Sequence, residues 1–181
     1  MAMTMQGEVA LAADRQKVWN MLNDPEVLKQ CIPGCETVEK LSDSDFTIAM
    51  VAAVGPVKAK FTGKLKILEP NPPDSYFLSF EGSGGVAGFG KGQAEVILTM
   101  ESDTVTVLSY KANATVGGKL AQVGSRLIDG VARKIADAFF ERFNQALVPA
   151  ADPGAGAAEN KPAKRWSLFG RRKDESPEPE Q

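Results

Sequence analysis

Few side chains in this sequence can do chemistry. None of the 181 residues is a histidine, which removes His-based triads, imidazole general bases and imidazole metal ligands together. Two cysteines, Cys31 and Cys35, stand in a C-x-x-x-C spacing with no third thiol. Structural zinc takes four N or S ligands, so the pair is read as two reduced, partly buried thiols rather than a metal clasp or a disulfide framework. The stretch GVAGFGKG at 85–92 has the glycine and Gly-Lys spacing of a phosphate loop. Gly92, however, replaces the Ser/Thr that would hold magnesium, and a strand pattern follows where a helix N-terminus is required. The preferred reading is a loop at the mouth of a cavity, with Val86 and Phe89 as apolar tips and the glycines permitting movement; an ordinary hairpin loop is the alternative. Tyr76 and Tyr110, the two tyrosines, are candidate polar anchors for a ligand carbonyl or hydroxyl, against the alternative of ordinary strand aromatics.

The elements that must position these residues follow from hydrophobic period. Residues 3–11 read as a strand. DRQKVWNMLND at 14–24 reads as a helix capped by Asp14, with Val18, Trp19, Met21 and Leu22 on one face. Pro25 interrupts it, and EVLKQCIPGCE forms a second short helix stopped at Pro33-Gly34. The period then becomes alternating over 36–41, 45–54 and 57–68. In VKAKFTGKLKIL, Val57, Ala59, Phe61, Gly63, Leu65 and Ile67 share one face and four lysines share the other with Thr62, which is a strand with one buried and one wet side. YFLSFEG, KGQAEVILTM and TVTVLSYKANA complete an antiparallel meander. From Lys119 to Leu147 apolar residues recur every three or four positions, predicting one long amphipathic helix with Gly124 and Gly130 inside it. Each of those glycines costs about 1 kcal/mol relative to Ala, offset by a close backbone approach or by room for a ligand.

The expected fold class is α+β: a curved antiparallel sheet of six to seven strands wrapped around a long C-terminal helix. A strongly curved sheet does not close fully on one helix and leaves an apolar cavity. Its expected lining is Met50, Ala52, Ala59, Phe61, Tyr76, Leu78, Phe80, Val96, Leu98, Met100, Val107 and Tyr110 from the strands, with Leu127, Val131, Ile135 and Phe139 from the helix. The small residues Ala52, Ala59, Gly63 and Ala112, together with adaptable Met, supply the room.

Formal net charge is −2, which argues against a nucleic-acid binder built on global charge. The N-terminus lacks the basic and apolar regions of a signal peptide, and no run approaches the ~20 apolar residues of a membrane span. The expected location is cytoplasmic, peripherally associated with the cytoplasmic face of the cell membrane. The reason lies at the C-terminus. After a domain over 1–148, residues 149–160 (PAADPGAGAAEN) read as a flexible linker with a reach of about 20 Å. Residues 161–173 follow as a basic-aromatic membrane-anchor segment, and 174–181 as a disordered acidic tail. In the anchor, Trp166, Leu168 and Phe169 sit among Lys164, Arg165, Arg171, Arg172 and Lys173. Aromatic rings suit the headgroup boundary and cations favour anionic lipid. A docking peptide for a partner protein and a short nucleic-acid patch are the rival readings, the latter set aside because the rest of the chain offers no basic face.

Two stretches, CIPGCETVE at 31–39 and VGGKLAQVGSRLIDGVARKIADAFFERF at 116–143, resemble the CoxG family of carbon monoxide dehydrogenase. That family lies within the helix-grip (START-like, polyketide-cyclase-like, SRPBCC) superfamily, and the resemblance covers residues 3–147. The superfamily implies a hydrophobic cavity for a lipophilic small molecule. The family implies a non-catalytic accessory protein that recruits a molybdenum-containing carbon monoxide dehydrogenase, or a related molybdenum hydroxylase, to the cytoplasmic membrane. Combining cavity, anchor and client leads to the expectation of a bound prenyl quinone, menaquinone or ubiquinone, as a non-covalent cargo linking the enzyme to the respiratory chain. A general lipid-binding or transfer protein is the runner-up. A cyclase or hydrolase, as among some helix-grip relatives, is disfavoured by the missing histidine.

Overall fold

A computed structural model describes residues 1–148, which form one compact unit. The readings for 149–160, 161–173 and 174–181 lie outside the described residues. Seven strands make a single sheet: β1 (Ala2–Leu11), β2 (Cys35–Lys40), β3 (Asp45–Val54), β4 (Val57–Asn71), β5 (Ser75–Ser83), β6 (Phe89–Ser102) and β7 (Val105–Gly117). Their order is β1-β7-β6-β5-β4-β3-β2, with every neighbouring pair antiparallel. Sequential strands from β2 to β7 are therefore hairpin neighbours, and β1 closes the far edge on β7. The alternation in β4 is realised: its odd-numbered residues from Val57 to Ile67 are partly or fully buried and the lysines are exposed.

Two short helices sit between β1 and β2. α1 (Arg15–Leu22) is capped by Asp14, whose carboxylate accepts from the Lys17 amide at 3.0 Å. α2 (Pro25–Cys31) starts with proline at its first position and is capped by Asp24. An Arg15–Asp74 ion pair ties α1 to the turn before β5.

The C-terminal helix departs from expectation. It is two helices, α3 (Lys119–Gln122) and α4 (Ser125–Leu147), separated at Gly124. Gly124 adopts φ +99° and ψ 149°, a region essentially confined to glycine. It therefore breaks the helix instead of weakening its interior. Gly130 does lie inside α4, but a Cβ there would meet nothing within 4 Å, so no backbone approaches it.

α4 lies against the concave face of the sheet. Phe143 and Leu147 are fully buried with Leu11, Val18 and Cys31 in one apolar cluster. A smaller cluster, Val54, Val116 and Ile128, is gathered nearer the N-terminal part of the helix.

Candidate ligand cavity

Between α4, the helix pair α1–α2 and the concave face lies a cavity of about 460 Å³. This is within the range of small-molecule sites. Each wall has a sequence-level cause. On the sheet, alternation directs Met5, Phe46, Ile48, Met50, Leu65, Ile67, Tyr76, Leu78, Phe80, Ala94, Val96, Leu108, Tyr110 and Ala112 inward. Leu22, Leu28 and Ile32 close one side from the short helices, and Ala132, Ile135, Ala136, Phe139 and Phe140 form the helical wall. Met5, Met50, Leu78, Phe80 and Ile135 face inward yet are only half-buried, as expected for side chains bordering space rather than packed neighbours. Four alanines make that space: Ala94 and Ala112 are directly paired across β6 and β7, and Ala132 and Ala136 are one turn apart on α4.

Of the residues expected from sequence, Met50, Tyr76, Leu78, Phe80, Val96, Tyr110, Ile135 and Phe139 line this cavity. The others do not. Val107 has the wrong parity: Leu108 and Tyr110 point inward, so Val107 faces out opposite Ala10 and Thr99. Met100 has the right parity but lies near the end of β6, where it is 54% exposed. Leu98 is buried in the main core instead. Ala52 and Ala59 pair with each other close to the β3–β4 turn, and the Phe61 ring lies over Gly84, so all three stand beyond the cavity wall. On the helix, the lining face runs through Ala132, Ala136 and Phe140, which moves the expected stripe aside. Leu127 is 39% exposed and leans on Gly55, and Val131 packs on the smaller cluster.

The loop expected at the cavity mouth is also different. Neither Val86 nor Phe89 lines the cavity. Val86 is exposed at the tip of a 3-10 turn, Gly85–Ala87, and the Phe89 ring covers Gly117 on the other side of the sheet. The loop is pinned by a glycine contact: a Cβ on Gly118 would stand 2.6 Å from the Gly88 Cα. Only glycine at both positions allows this approach.

No charged side chain lines the cavity, and its only side-chain oxygens are those of the two phenols. They differ. Tyr110 stacks on Phe140 with centroids 5.7 Å apart, and its hydroxyl reaches the edge strand, where a Cβ on Gly7 would stand 2.8 Å from it. Tyr76 is 6% exposed and meets Trp19 edge-to-face at 5.3 Å. Among the described residues its hydroxyl has no hydrogen-bond partner, and burial pushes the phenol well above its ordinary pKa. It is therefore a neutral donor at any physiological pH.

Cys31 is buried and Cys35 half-buried; both are free thiols, and burial raises both. Among the described residues no cluster of three His, Cys, Asp or Glu side chains is arranged to hold a metal ion, and no helix is long and apolar enough to cross a membrane. The outer face of the sheet carries a second hollow of about 580 Å³, but Glu39, Lys64, Glu81 and Lys91 are among its walls. A lipophile would gain little from that surface.

Comparison with known proteins agrees with this architecture. No curated protein matches the chain. Among solved structures, a conserved protein from Geobacillus kaustophilus is 30% identical with a TM-score of 0.75, covering 80% of this chain and 94% of that one. A START superfamily protein from Mycobacterium smegmatis (15% identical, TM-score 0.60, 79% and 98% covered) shares the fold. So does the ZhuI aromatase/cyclase from Streptomyces sp. R1128 (14% identical, TM-score 0.61, 83% and 98% covered). The model of the CoxG family, described as a carbon monoxide dehydrogenase component, matches residues 7–148, and the chain, with its START-like helix-grip fold, belongs to that family.

Proposed function

We propose that this member of an accessory family of carbon monoxide dehydrogenase works without catalysis, holding a lipophilic molecule and bringing the enzyme to the cytoplasmic membrane. The observation that carries the reading is the cavity: about 460 Å³ of apolar space with two phenols and no charged wall. It has the walls of a carrier and lacks the convergent acid, base and nucleophile of an active site. A respiratory quinone is the cargo that joins the two halves of the reading. A redox enzyme outside the bilayer must deliver electrons to acceptors confined within it, and a quinone takes up two electrons and two protons to become a quinol. The basic-aromatic sequence at 161–173 supplies the membrane contact in this scheme. Burial of Trp166, Leu168 and Phe169 at roughly 1.5–3 kcal/mol each, less the cost of ordering the segment, gives a reversible, salt-sensitive association.

Organic extraction of protein purified from a quinone-replete host, followed by mass spectrometry, tests the cargo. A stoichiometric prenyl quinone is expected; an empty cavity removes the carrier role and leaves recruitment standing. Flotation with anionic liposomes tests the anchor. Deletion of 161–173 is expected to abolish flotation, and unchanged flotation would end the membrane claim.

A further inference from the structure

Resting on the cavity reading above, we infer that Tyr76 selects the cargo: the ligand is an uncharged lipophile that presents one hydrogen-bond acceptor, such as a ring carbonyl, to the Tyr76 hydroxyl. Buried polar groups in folded proteins are nearly always paired, and an unpaired one costs stability. Tyr76 is the exception inside this domain. It is buried, it borders the apolar space under α4, and no described residue accepts from its hydroxyl. A phenylalanine of the same shape would pack there without an orphaned donor. The partner is therefore absent from the domain and arrives with the ligand.

The surroundings fix the position of the donor. Trp19 lies edge-on to the Tyr76 ring at 5.3 Å. Trp19 is carried by α1, which the Arg15–Asp74 pair fastens to the turn immediately before β5. Tyr76 also pairs with Val96 across β5 and β6 in the middle of the sheet. The donor is thus held by sheet and helix together, and its geometry exists before any ligand arrives, which lowers the cost of binding.

The same walls reject charged lipids. No Lys or Arg lines the cavity, so a fatty-acid carboxylate placed there would be buried without a counterion. Tyr110 does not duplicate the role: it is half-buried, stacked on Phe140 and directed toward Gly7 at the edge strand.

The test uses the full chain with Trp166→Phe, which leaves Trp19 as the single tryptophan and places the fluorescent reporter against Tyr76. Three probes are titrated: 2-methyl-1,4-naphthoquinone, its hydrocarbon counterpart 2-methylnaphthalene, and palmitate beside methyl palmitate. Tyr76→Phe is expected to weaken naphthoquinone binding roughly five- to tenfold, the size of one neutral hydrogen bond, while methylnaphthalene binds as before or tighter. Tyr110→Phe should leave the naphthoquinone Kd within about twofold. Methyl palmitate should bind at least about tenfold more tightly than palmitate. The ligand-free Tyr76→Phe protein should melt no lower than its parent, because it loses an unsatisfied group. Equal changes for quinone and hydrocarbon in Tyr76→Phe, or none for either, overturn the selection role while methylnaphthalene binding still upholds the cavity. Failure of the parent protein to bind either aromatic probe overturns both.

Discussion

The two ends of α4 are held in different ways. At its C-terminal end, Phe143 and Leu147 are 0% and 1% exposed within a cluster that joins both short helices to all seven strands. Polar contacts add to it: the Asn144 amide donates to the Ala10 carbonyl and accepts from the Ala12 amide, and Lys17 Nζ donates to the Leu147 carbonyl. Nearby, Thr106 Oγ1 donates to the buried Ala13 carbonyl at 2.7 Å. The N-terminal end has only Val54, Val116 and Ile128 fully buried, with Leu127 part-exposed on the β3–β4 turn. The cavity lies between them. One end fixes the fold, and the other is the weaker closure through which a lipophile can enter.

The largest effect follows from removing the tight end. Phe143→Ala should cost about 3–5 kcal/mol, enough to unfold a domain of ordinary stability. Ile128→Ala at the loose end should cost about 2 kcal/mol, the low side of its class, because part-exposed neighbours can collapse into the gap. Urea unfolding separates the two. Amide exchange sharpens the contrast: amides near Ile128 should exchange before those near Phe143. Equal protection along α4 would break the comparison.

Filling the space between the ends comes next. Ala136→Leu adds a branched side chain where the helical wall is one methyl deep. Affinity for 2-methylnaphthalene should fall at least about tenfold, or 1.4 kcal/mol, while thermal stability holds or rises as cavity filling commonly allows. Loss of binding with loss of folding would instead mean that the space is strained packing.

The glycines of the loose end give smaller and opposite shifts. Gly124→Ala forces a Cβ into φ +99° and should destabilise by about 1–3 kcal/mol. Gly130→Ala adds a methyl that meets nothing within 4 Å, on a helix turn where alanine is preferred, and should stabilise by roughly 0.5–1 kcal/mol. Thermal melts of both variants suffice, and a destabilised Gly130→Ala would mean that something packs on that exposed turn.

The same glycines mark what can be read from sequence. Strands are legible because the alternation is clean, as in Val57 to Ile67, and the family resemblance leads to the matched fold. Tyr76 and the room made by Ala112 are legible too. The helix break is not, because a glycine within an apolar period looks like a tolerated interior residue until its φ is known. Val107 is misplaced by parity alone; counting back from Tyr110 puts Leu108 inward. Ala132 and Ala136 look from sequence like the flanks of a stripe of larger residues. Yet a wall beside a ligand needs small side chains, so the hydrophobic maximum of the helix and its cavity face are not the same line.

The smallest effect concerns protons at the tight end. Cys31 is 1% exposed in the main cluster; burial raises its thiol above the ordinary 9.0, and Arg142 opposes this in part. A thiol whose folded pKa lies above its unfolded one favours folding fully below pH 9.0, and that contribution is lost as pH rises through the folded value. Stability measured by urea from about pH 8 to 10 should therefore decline more in the parent than in Cys31→Ala. Alkylation at about pH 8 gives the matching kinetic result. Half-buried Cys35 should react first, and Cys31 only at the rate of global opening, because both low thiolate content and burial protect it. An Ile128→Cys substitution places a third thiol in the smaller cluster; it should react between these two. If it reacts as slowly as Cys31, the two ends open together and the loose end is not a gate.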